Sequence, residues 1–191
     1  MSCSKRLQTN FSSSDIRHSS NIPSSSRNLS SYIGPSSESE PKEHDVFLSF
    51  RGEDTRNTFT GHLYQALVDK GISTFKDDEK IEIGKPISPE LLDAIKKSSM
   101  AVIVFSRNYA SSTWCLEELA TIIECMKERE MRVLPIFYHV DPSEVRHQRG
   151  TIADAFAAHE IRFEKDLEKV QTWRNALSEV ANLSGRHLQK G

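Results

Sequence analysis

The chain has 191 residues, of which 37% are hydrophobic and 27% charged, and its net charge is −2. Nucleic-acid-binding proteins usually have an excess of basic residues that bind the phosphate backbone, and this nearly neutral chain lacks one. Its charge therefore argues against nucleic-acid binding as its main function. The longest apolar runs are six residues, too short to span a bilayer. The sequence contains three cysteines, which are too few for a disulfide framework, and no two of them form a CxxC motif. We therefore expect the protein to reside in a reducing compartment.

The N-terminal segment differs in composition from the rest of the chain. Fifteen of the first 40 residues are serine, and no apolar period of a strand or helix is present before residue 44. Such a segment cannot bury enough surface to offset its chain entropy. We predict a disordered leader over residues 1–43 and one domain over residues 44–191. A transit peptide is the alternative, because residues 1–37 contain four basic residues and one acidic residue.

Apolar strands alternate with amphipathic helices from residue 45 onward. In chain order, the predicted elements are a strand at 45–50, a helix at 58–70 stopped by Gly71, a strand at 72–75, a helix capped by Ser88 with Pro89 at its first position, a strand at 100–105, a helix at 114–129, a strand at 131–138, short pieces at 142–147 and 151–159, and a helix at 164–183. Continuously apolar strands indicate a parallel sheet that is buried on both faces. We predict an α/β, flavodoxin-like three-layer sandwich with about five strands in the order 2-1-3-4-5.

This strand order predicts the position of a ligand site. In such sheets, ligands bind beyond the carboxyl ends of strands 1 and 3, where the winding reverses. The loops at those ends are 51–57 (RGEDTRN) and 106–113 (SRNYASST). Arg51 and Arg56 would line one wall of the cleft and suit an anionic ligand. Ser112, Trp114 and a glutamate in the following helix would line the other wall.

Two adjacent glutamates, Glu117 and Glu118, compete for that position. Glu118 has Trp114 and Ile122 one helical turn away on either side, so it shares a flank with apolar side chains. Glu117 shares its flank with Glu124. We therefore expect Glu118 to be partly desolvated, with a raised pKa, and Glu117 to lie on the solvated face. An ordinary surface role stays open for either residue.

Several other chemistries lack their motifs. The sequence contains neither GxGxxG nor GxxxxGK[ST], which argues against a Rossmann dehydrogenase and a P-loop hydrolase. His139 and His147 have no further ligands in sequence, so we expect no metal site. Cys115 has no histidine partner in sequence, and we predict it to be a small buried residue. The first strand ends without the aspartate that a phosphoacceptor receiver requires.

Five segments in chain order resemble one family, the plant-type TIR (Toll/interleukin-1 receptor) domain of intracellular immune receptors and their TIR-only relatives. The family is flavodoxin-like, in agreement with the predicted winding. The matching segments run in order from His44 to Gly185, and they are HDVFLSFRGEDTRNTFTGHLYQAL, FKDDEKIEIGKPISPELLDAI, VIVFSRNYASSTWCLEEL, LPIFYHVDPSEVRHQRGT and WRNALSEVANLSG.

The resemblance implies an NAD⁺ nucleosidase of innate immune signalling. Such an enzyme cleaves the nicotinamide–ribose bond and gives nicotinamide with ADP-ribose or a cyclic ADP-ribose-type product. NAD⁺ is then the substrate, and no cofactor is implied. By position in the matching segments, the catalytic residue is Glu118, and the NAD⁺-binding residues are Phe50, Arg51, Gly52, Arg56, Ser112 and Trp114.

The resemblance also implies self-association with other TIR domains, as a homo- or hetero-oligomer, and activation by that assembly. The positions implied for it are Gly61, His62, Gly84, Lys85 and Gly150, and residues 76–87 match a loop that gates the site and contacts a neighbouring protomer. A cytoplasmic location is implied, with a nuclear or organellar one left open. The alternative function is a TIR–TIR interaction module, an adaptor or decoy, with little catalysis.

The sequence departs from the family pattern at four places. Ile83 precedes Gly84 where arginine is frequent, Gly61 stands where many relatives have serine, and Arg186 stands where tryptophan is common. The sequence ends at Gly191, whereas the family domain usually continues through one more helix. We therefore expect the helix at 58–70 to cover one face of the sheet alone, and the isolated chain to be weakly active.

Overall fold

The computed structural model describes residues 41–76 and 88–189. Within these residues, five strands form one parallel sheet in the order β2-β1-β3-β4-β5, which confirms the predicted flavodoxin-like winding. The strands are β1 (His44–Phe50), β2 (Thr74–Lys76), β3 (Ser98–Phe105), β4 (Arg132–Tyr138) and β5 (Arg186–Leu188). Residues 1–40 of the predicted leader, and both Gly84 and Lys85, lie outside the described residues.

The predicted helices are present with small shifts at their ends. The described helices are α1 (Gly52–Thr55), α2 (Phe59–Asp69), α3 (Pro89–Lys96), a 3₁₀ helix (Tyr109–Ser111), α4 (Thr113–Glu128), α5 (Pro142–Arg146), α6 (Thr151–Arg162) and α7 (Leu167–Ala181). Two corrections concern the predicted loops 51–57 and 106–113, because each contains a short helix, α1 and the 3₁₀ helix respectively. These helices are too short to produce a periodic apolar pattern.

Local hydrogen bonds explain where the helices begin and end. The Ser88 hydroxyl accepts a bond of 3.2 Å from the Leu91 amide, so the predicted cap of α3 is confirmed. Gly71, just after α2, has a φ of 73°, as expected of a helix stop. The carboxylate of Asp166 accepts a bond of 3.3 Å from the Lys169 amide, which starts α7 three residues later than predicted. Leu167, predicted on the apolar side of this helix, is instead 53% exposed.

The sheet separates two apolar clusters. The larger cluster lies between the sheet and helices α3, α4 and α7, and its fully buried members include Phe47, Leu119 and Trp173. In the second cluster, the helical side chains of the described residues all come from α2, and they include Phe59 and Leu63. On that same face, the side chains of Leu134, Tyr138 and Leu188 in β4 and β5 are only half-buried. Among the described helices, α2 therefore covers this face alone, as expected, and it leaves the part of the face formed by β4 and β5 partly exposed.

The last strand was not located by the sequence pattern. Residues 186–188 are mostly exposed, so β5 lacks the apolar run that marked the other strands. A Cβ at Gly185 would lie 2.5 Å from the carbonyl oxygen of Pro135, so glycine allows the chain to approach β4 closely. Arg186, which stands where the family commonly has tryptophan, begins this strand.

Strand register places the carboxyl ends of three strands at one edge of the sheet. Phe50 is aligned with Val104, and Phe105 is aligned with Phe137. The two loops predicted to form the ligand site leave from this edge. Across residues 41–76 and 88–189, no helix combines the length and apolar character needed to cross a bilayer, and no group of three or more His, Cys, Asp or Glu is placed to hold a metal ion.

Candidate functional site

Asp54 joins the two loops at the carboxyl edge of the sheet. One carboxylate oxygen, Oδ2, accepts bonds of 2.5 Å from the Ser106 hydroxyl and 3.1 Å from the Asn108 amide. The other, Oδ1, accepts bonds of 2.6 Å from Arg51 Nη1 and 3.3 Å from Asn108 Nδ2. The loop after β1 and the loop after β3 are therefore held side by side, as the predicted cleft requires.

The surroundings of Asp54 stabilise its charged form. Burial by itself raises the pKa of this carboxyl, but the hydrogen bonds from Ser106, Asn108 and Arg51 together outweigh burial and lower the pKa below its usual value. Asp54 is thus an anion in the folded chain at neutral pH. It was not singled out from the sequence, where it appeared only as one acid in a charged loop.

Arg51 is engaged within its own loop. Its guanidinium forms ion pairs with Glu53 and Asp54, and its side chain is 21% exposed. Two carboxylates compensate its charge in this conformation. The structure therefore places Arg51 at the predicted site but oriented along α1.

Arg56, Phe50 and Gly52 form a compact group beside it. The Arg56 guanidinium lies 5.3 Å from the centre of the Phe50 ring, a distance typical of a cation–π contact. A Cβ at Gly52 would lie 2.8 Å from Arg56 Nη2, and a Cβ at Gly61 would lie 2.6 Å from the Arg56 carbonyl oxygen. Gly61 therefore has a packing role against the Arg56 backbone, distinct from the self-association role that the resemblance implies, whereas Gly52 meets only the flexible end of the Arg56 side chain.

The N-terminal turn of α4 supplies the opposite wall. Ser112 is the N-cap of this helix, and its hydroxyl accepts a bond of 3.3 Å from the Cys115 amide. Trp114 lies in the first turn and is 8% exposed. The thiol of Cys115 donates to the Phe50 carbonyl oxygen at 3.6 Å, which fastens the start of α4 to the end of β1. Cys115 is buried, as predicted, and burial raises the pKa of its thiol.

Replacing Ser112 by alanine is expected to lower the free energy of unfolding by about 1 kcal/mol. The reason is that the Cys115 amide in the first turn of α4 loses its hydrogen-bond acceptor. Ser112→Asp, which restores an acceptor, is the matched control and should recover most of that loss. Urea unfolding followed by circular dichroism measures both variants. Equal stability of Ser112→Ala and the unchanged chain would show that the cap contributes nothing.

Glu118 and Glu117 point to different surroundings. Glu118 is 5% exposed, and its Oε2 lies 2.6 Å from the Ser49 hydroxyl, on β1. Glu117 is half-buried and forms an ion pair with Lys169 of α7. The predicted burial of Glu118 is confirmed, and its catalytic role stays a prediction. Glu117 belongs to the outer contact between α4 and α7.

Ser49 connects Glu118 to a buried tyrosine. The Ser49 and Tyr109 hydroxyl oxygens are 2.9 Å apart, and the Tyr109 hydroxyl donates to the Cys115 carbonyl oxygen at 3.0 Å. Both Ser49 and Tyr109 are fully buried. Sequence reasoning missed these two residues, although a serine inside the apolar strand DVFLSF is the kind of signal that marks a buried polar contact.

The residues implied in self-association are distributed over separate elements. Gly61 and His62 lie in α2, where His62 is exposed. Gly150 precedes α6 with φ 57° and ψ −134°, a backbone conformation that favours glycine. Gly84 and Lys85 lie outside the described residues. For Gly150, the structure thus supplies a local conformational reason for the glycine.

Comparison with known proteins gives close matches over the domain. Residues 43–191 match the model of the TIR domain family. The chain is 55% identical over 153 residues to TMV resistance protein N of Nicotiana glutinosa and 54% identical over 164 residues to disease resistance protein RPV1 of Vitis rotundifolia. These alignments cover 80% and 83% of this chain but only 13% and 11% of those proteins. The TIR domains in the activated Roq1 resistosome are 57% identical, with a TM-score of 0.69 over 76% of this chain and 87% of that one.

Proposed function

Since this chain belongs to the TIR domain family, we propose that it acts in plant defence signalling as an NAD⁺ nucleosidase. It cleaves the nicotinamide–ribose bond and releases nicotinamide with ADP-ribose or a cyclic ADP-ribose-type product. The observation that carries this proposal is the placement of Glu118, which is 5% exposed and fixed against Ser49 near the carboxyl end of β1. A buried carboxylate at the winding reversal of such a sheet is the acidic group that this cleavage needs.

One carboxylate is sufficient for the reaction. Nicotinamide leaves as a neutral pyridine, so no general acid has to protonate the leaving group, unlike the oxygen of an ordinary glycoside. The transition state develops positive charge on the ribosyl group, and a fixed negative charge in a site with little water stabilises it. Glu118 is the proposed source of that charge.

The remaining wall residues position the nucleotide in this proposal. The NAD⁺-binding residues are Phe50, Arg51, Gly52, Arg56, Ser112 and Trp114. The contacts among them support a shared site, since Arg56 lies over Phe50 and the start of α4 is bonded to the end of β1. Arginine suits the pyrophosphate because its guanidinium donates several parallel hydrogen bonds to an anion.

Assembly with other TIR domains is proposed as the switch, and the cytoplasm as the location. In Roq1, the TIR domains belong to an activated resistosome, and this chain is 57% identical to them. We extend self-association to this chain through Gly61, His62, Gly84, Lys85 and Gly150. Of these, His62 is exposed on α2 and accessible to a second domain.

Activity measurements on dilute and on vesicle-tethered protein test this proposal. We expect nicotinamide release per molecule to be at least about tenfold higher for chain tethered densely on vesicles than for dilute chain, because tethering raises the effective concentration for assembly. Nicotinamide is quantified by chromatography after incubation with NAD⁺. Equal turnover per molecule in dilute and tethered protein would contradict the assembly switch, and no release at any density would contradict the nucleosidase.

The second candidate function is a TIR–TIR interaction module with little catalysis. The observation in its favour is Arg51, whose guanidinium is paired with Glu53 and Asp54 within its own loop. An arginine held in this way must exchange partners before it binds a substrate anion. Self-association in sedimentation experiments, combined with no nicotinamide release at high density, would identify the module.

A further inference from the structure

Glu118 lies at one end of a series of hydrogen bonds that contains fewer hydroxyl protons than contacts. The chain of contacts runs from Glu118 to Ser49, from Ser49 to Tyr109, and from Tyr109 to the Cys115 carbonyl oxygen, with separations of 2.6, 2.9 and 3.0 Å. Ser49 and Tyr109 each have one hydroxyl proton, and the Cys115 carbonyl oxygen can only accept. Only the Glu118–Ser49 and Ser49–Tyr109 bonds can therefore change direction, and they do so with the protonation state of Glu118.

All three contacts are hydrogen bonds at once only when Glu118 is a carboxylic acid. Tyr109 then donates to the Cys115 carbonyl, Ser49 donates to Tyr109, and Glu118 donates to Ser49. When Glu118 is a carboxylate, the Ser49 proton turns to Glu118 in a charge-assisted bond. Tyr109 then has one proton for two acceptors, the Ser49 hydroxyl and the Cys115 carbonyl.

We propose that Ser49 and Tyr109 are positioning residues that hold the Glu118 carboxyl in one place in both of its protonation states. When Glu118 takes up a proton, the Ser49 hydroxyl changes from donor to acceptor towards Glu118. The Ser49 proton then turns to the Tyr109 hydroxyl oxygen. The proposal rests on the proposed function in one respect, that Glu118 is the acting carboxylate. The hydrogen-bond chain itself is a property of the fold and can be measured without any substrate.

The other ionisable groups nearby leave this chain of bonds intact. Burial raises the pKa of both the Tyr109 hydroxyl and the Cys115 thiol, so both stay protonated at neutral pH. The charged groups that act on Cys115 from the loop after β1 are Arg51 and Asp54, which are paired with each other. On the outer side of α4, Glu117 is paired with Lys169.

The two positioning residues have opposite effects on the titration of Glu118. Without the Ser49 hydroxyl, the carboxylate loses a charge-assisted bond and the acid loses a weaker neutral one, so the titration midpoint rises. Without the Tyr109 hydroxyl, the acid form loses the acceptor for the Ser49 proton, while the bond from Ser49 to the carboxylate is kept. The midpoint then falls.

The experiment is a carbon-13 NMR titration of the glutamate carboxyl groups in the full chain, with Glu118→Gln identifying the resonance by its loss. Ser49→Ala is expected to move the midpoint up and Tyr109→Phe to move it down. Ser98→Ala removes a buried hydroxyl that bonds to Ala94 at 2.7 Å, and it is the matched control that leaves the midpoint unchanged. Thermal unfolding confirms that each variant is folded, and Tyr109→Phe keeps the ring that fills the core.

A shift in the same direction in both variants, or no shift in either, would overturn the proposal. The pH profile of nicotinamide release gives a second measurement, and its limb from Glu118 should move in the same two opposite directions. If the unchanged chain releases no nicotinamide while the NMR midpoints still move apart, the proposed function fails and the positioning role stands. If nicotinamide is released and the midpoints do not move, the function stands and the positioning role fails.

Discussion

Nicotinamide release from NAD⁺ is expected to fall by about 10²–10³-fold when Glu118 is replaced by glutamine, the range found when one preorganised electrostatic partner of a transition state is removed. Glutamine has the same size as glutamate and its amide oxygen still accepts a bond from Ser49, so the site keeps its shape. What disappears is the negative charge beside the developing ribosyl cation. The assay uses densely tethered chain and quantifies nicotinamide by chromatography.

Glu117→Gln is the matched control for this experiment. It removes the same charge one residue earlier in α4, but from a side chain that pairs with Lys169 on the outer surface. Partly exposed ion pairs near the surface, such as this one, contribute about 0–1 kcal/mol, so the variant should fold normally and keep nearly full activity. Equal nicotinamide release by Glu118→Gln and Glu117→Gln would remove Glu118 from the mechanism.

The fold was largely predictable because its strands are buried on both faces. Continuous apolar runs identified four strands, and amphipathic segments between them required parallel crossovers. The strand that the pattern did not locate is β5, whose residues are mostly exposed at the sheet edge. Short helices such as α1 also carry no period, and they were assigned to loops.

The features of the candidate site that depend on residues close together in the sequence were predictable. Glu118 was distinguished from Glu117 by neighbours one helical turn away, and the structure confirms that difference in burial. Ser49 and Asp54 were missed because their partners are remote in sequence: Ser49 meets Glu118 across 69 positions, and Asp54 meets Ser106 across 52. No local pattern carries such pairings, which arise only when the strands align their carboxyl ends.

Asp54→Asn is expected to lower the free energy of unfolding by about 2–3 kcal/mol at pH 7, since a charged acceptor of several hydrogen bonds becomes neutral and its new amide group faces donors. The effect depends on pH with a defined sign. The folded pKa of Asp54 lies below the ordinary value of 3.8, mainly because hydrogen bonds from Ser106 and Asn108 outweigh the effect of burial. Its contribution is therefore complete above about pH 3.8 and is lost as the pH falls through the folded pKa.

Urea unfolding at pH 7 and at steps down to about pH 3 measures this difference, with Asp69→Asn as the control. Asp69 is an exposed carboxylate in α2 that accepts one bond of 2.8 Å from Gln65, so its removal should cost little at any pH. The gap between the unchanged chain and Asp54→Asn should narrow as the pH falls below 3.8. A gap that stays constant with pH would mean that the charge of Asp54 does not hold the two loops together. Because these loops carry Arg51 and lead into α4, the same variant is expected to weaken nicotinamide release even at a pH where it is fully folded.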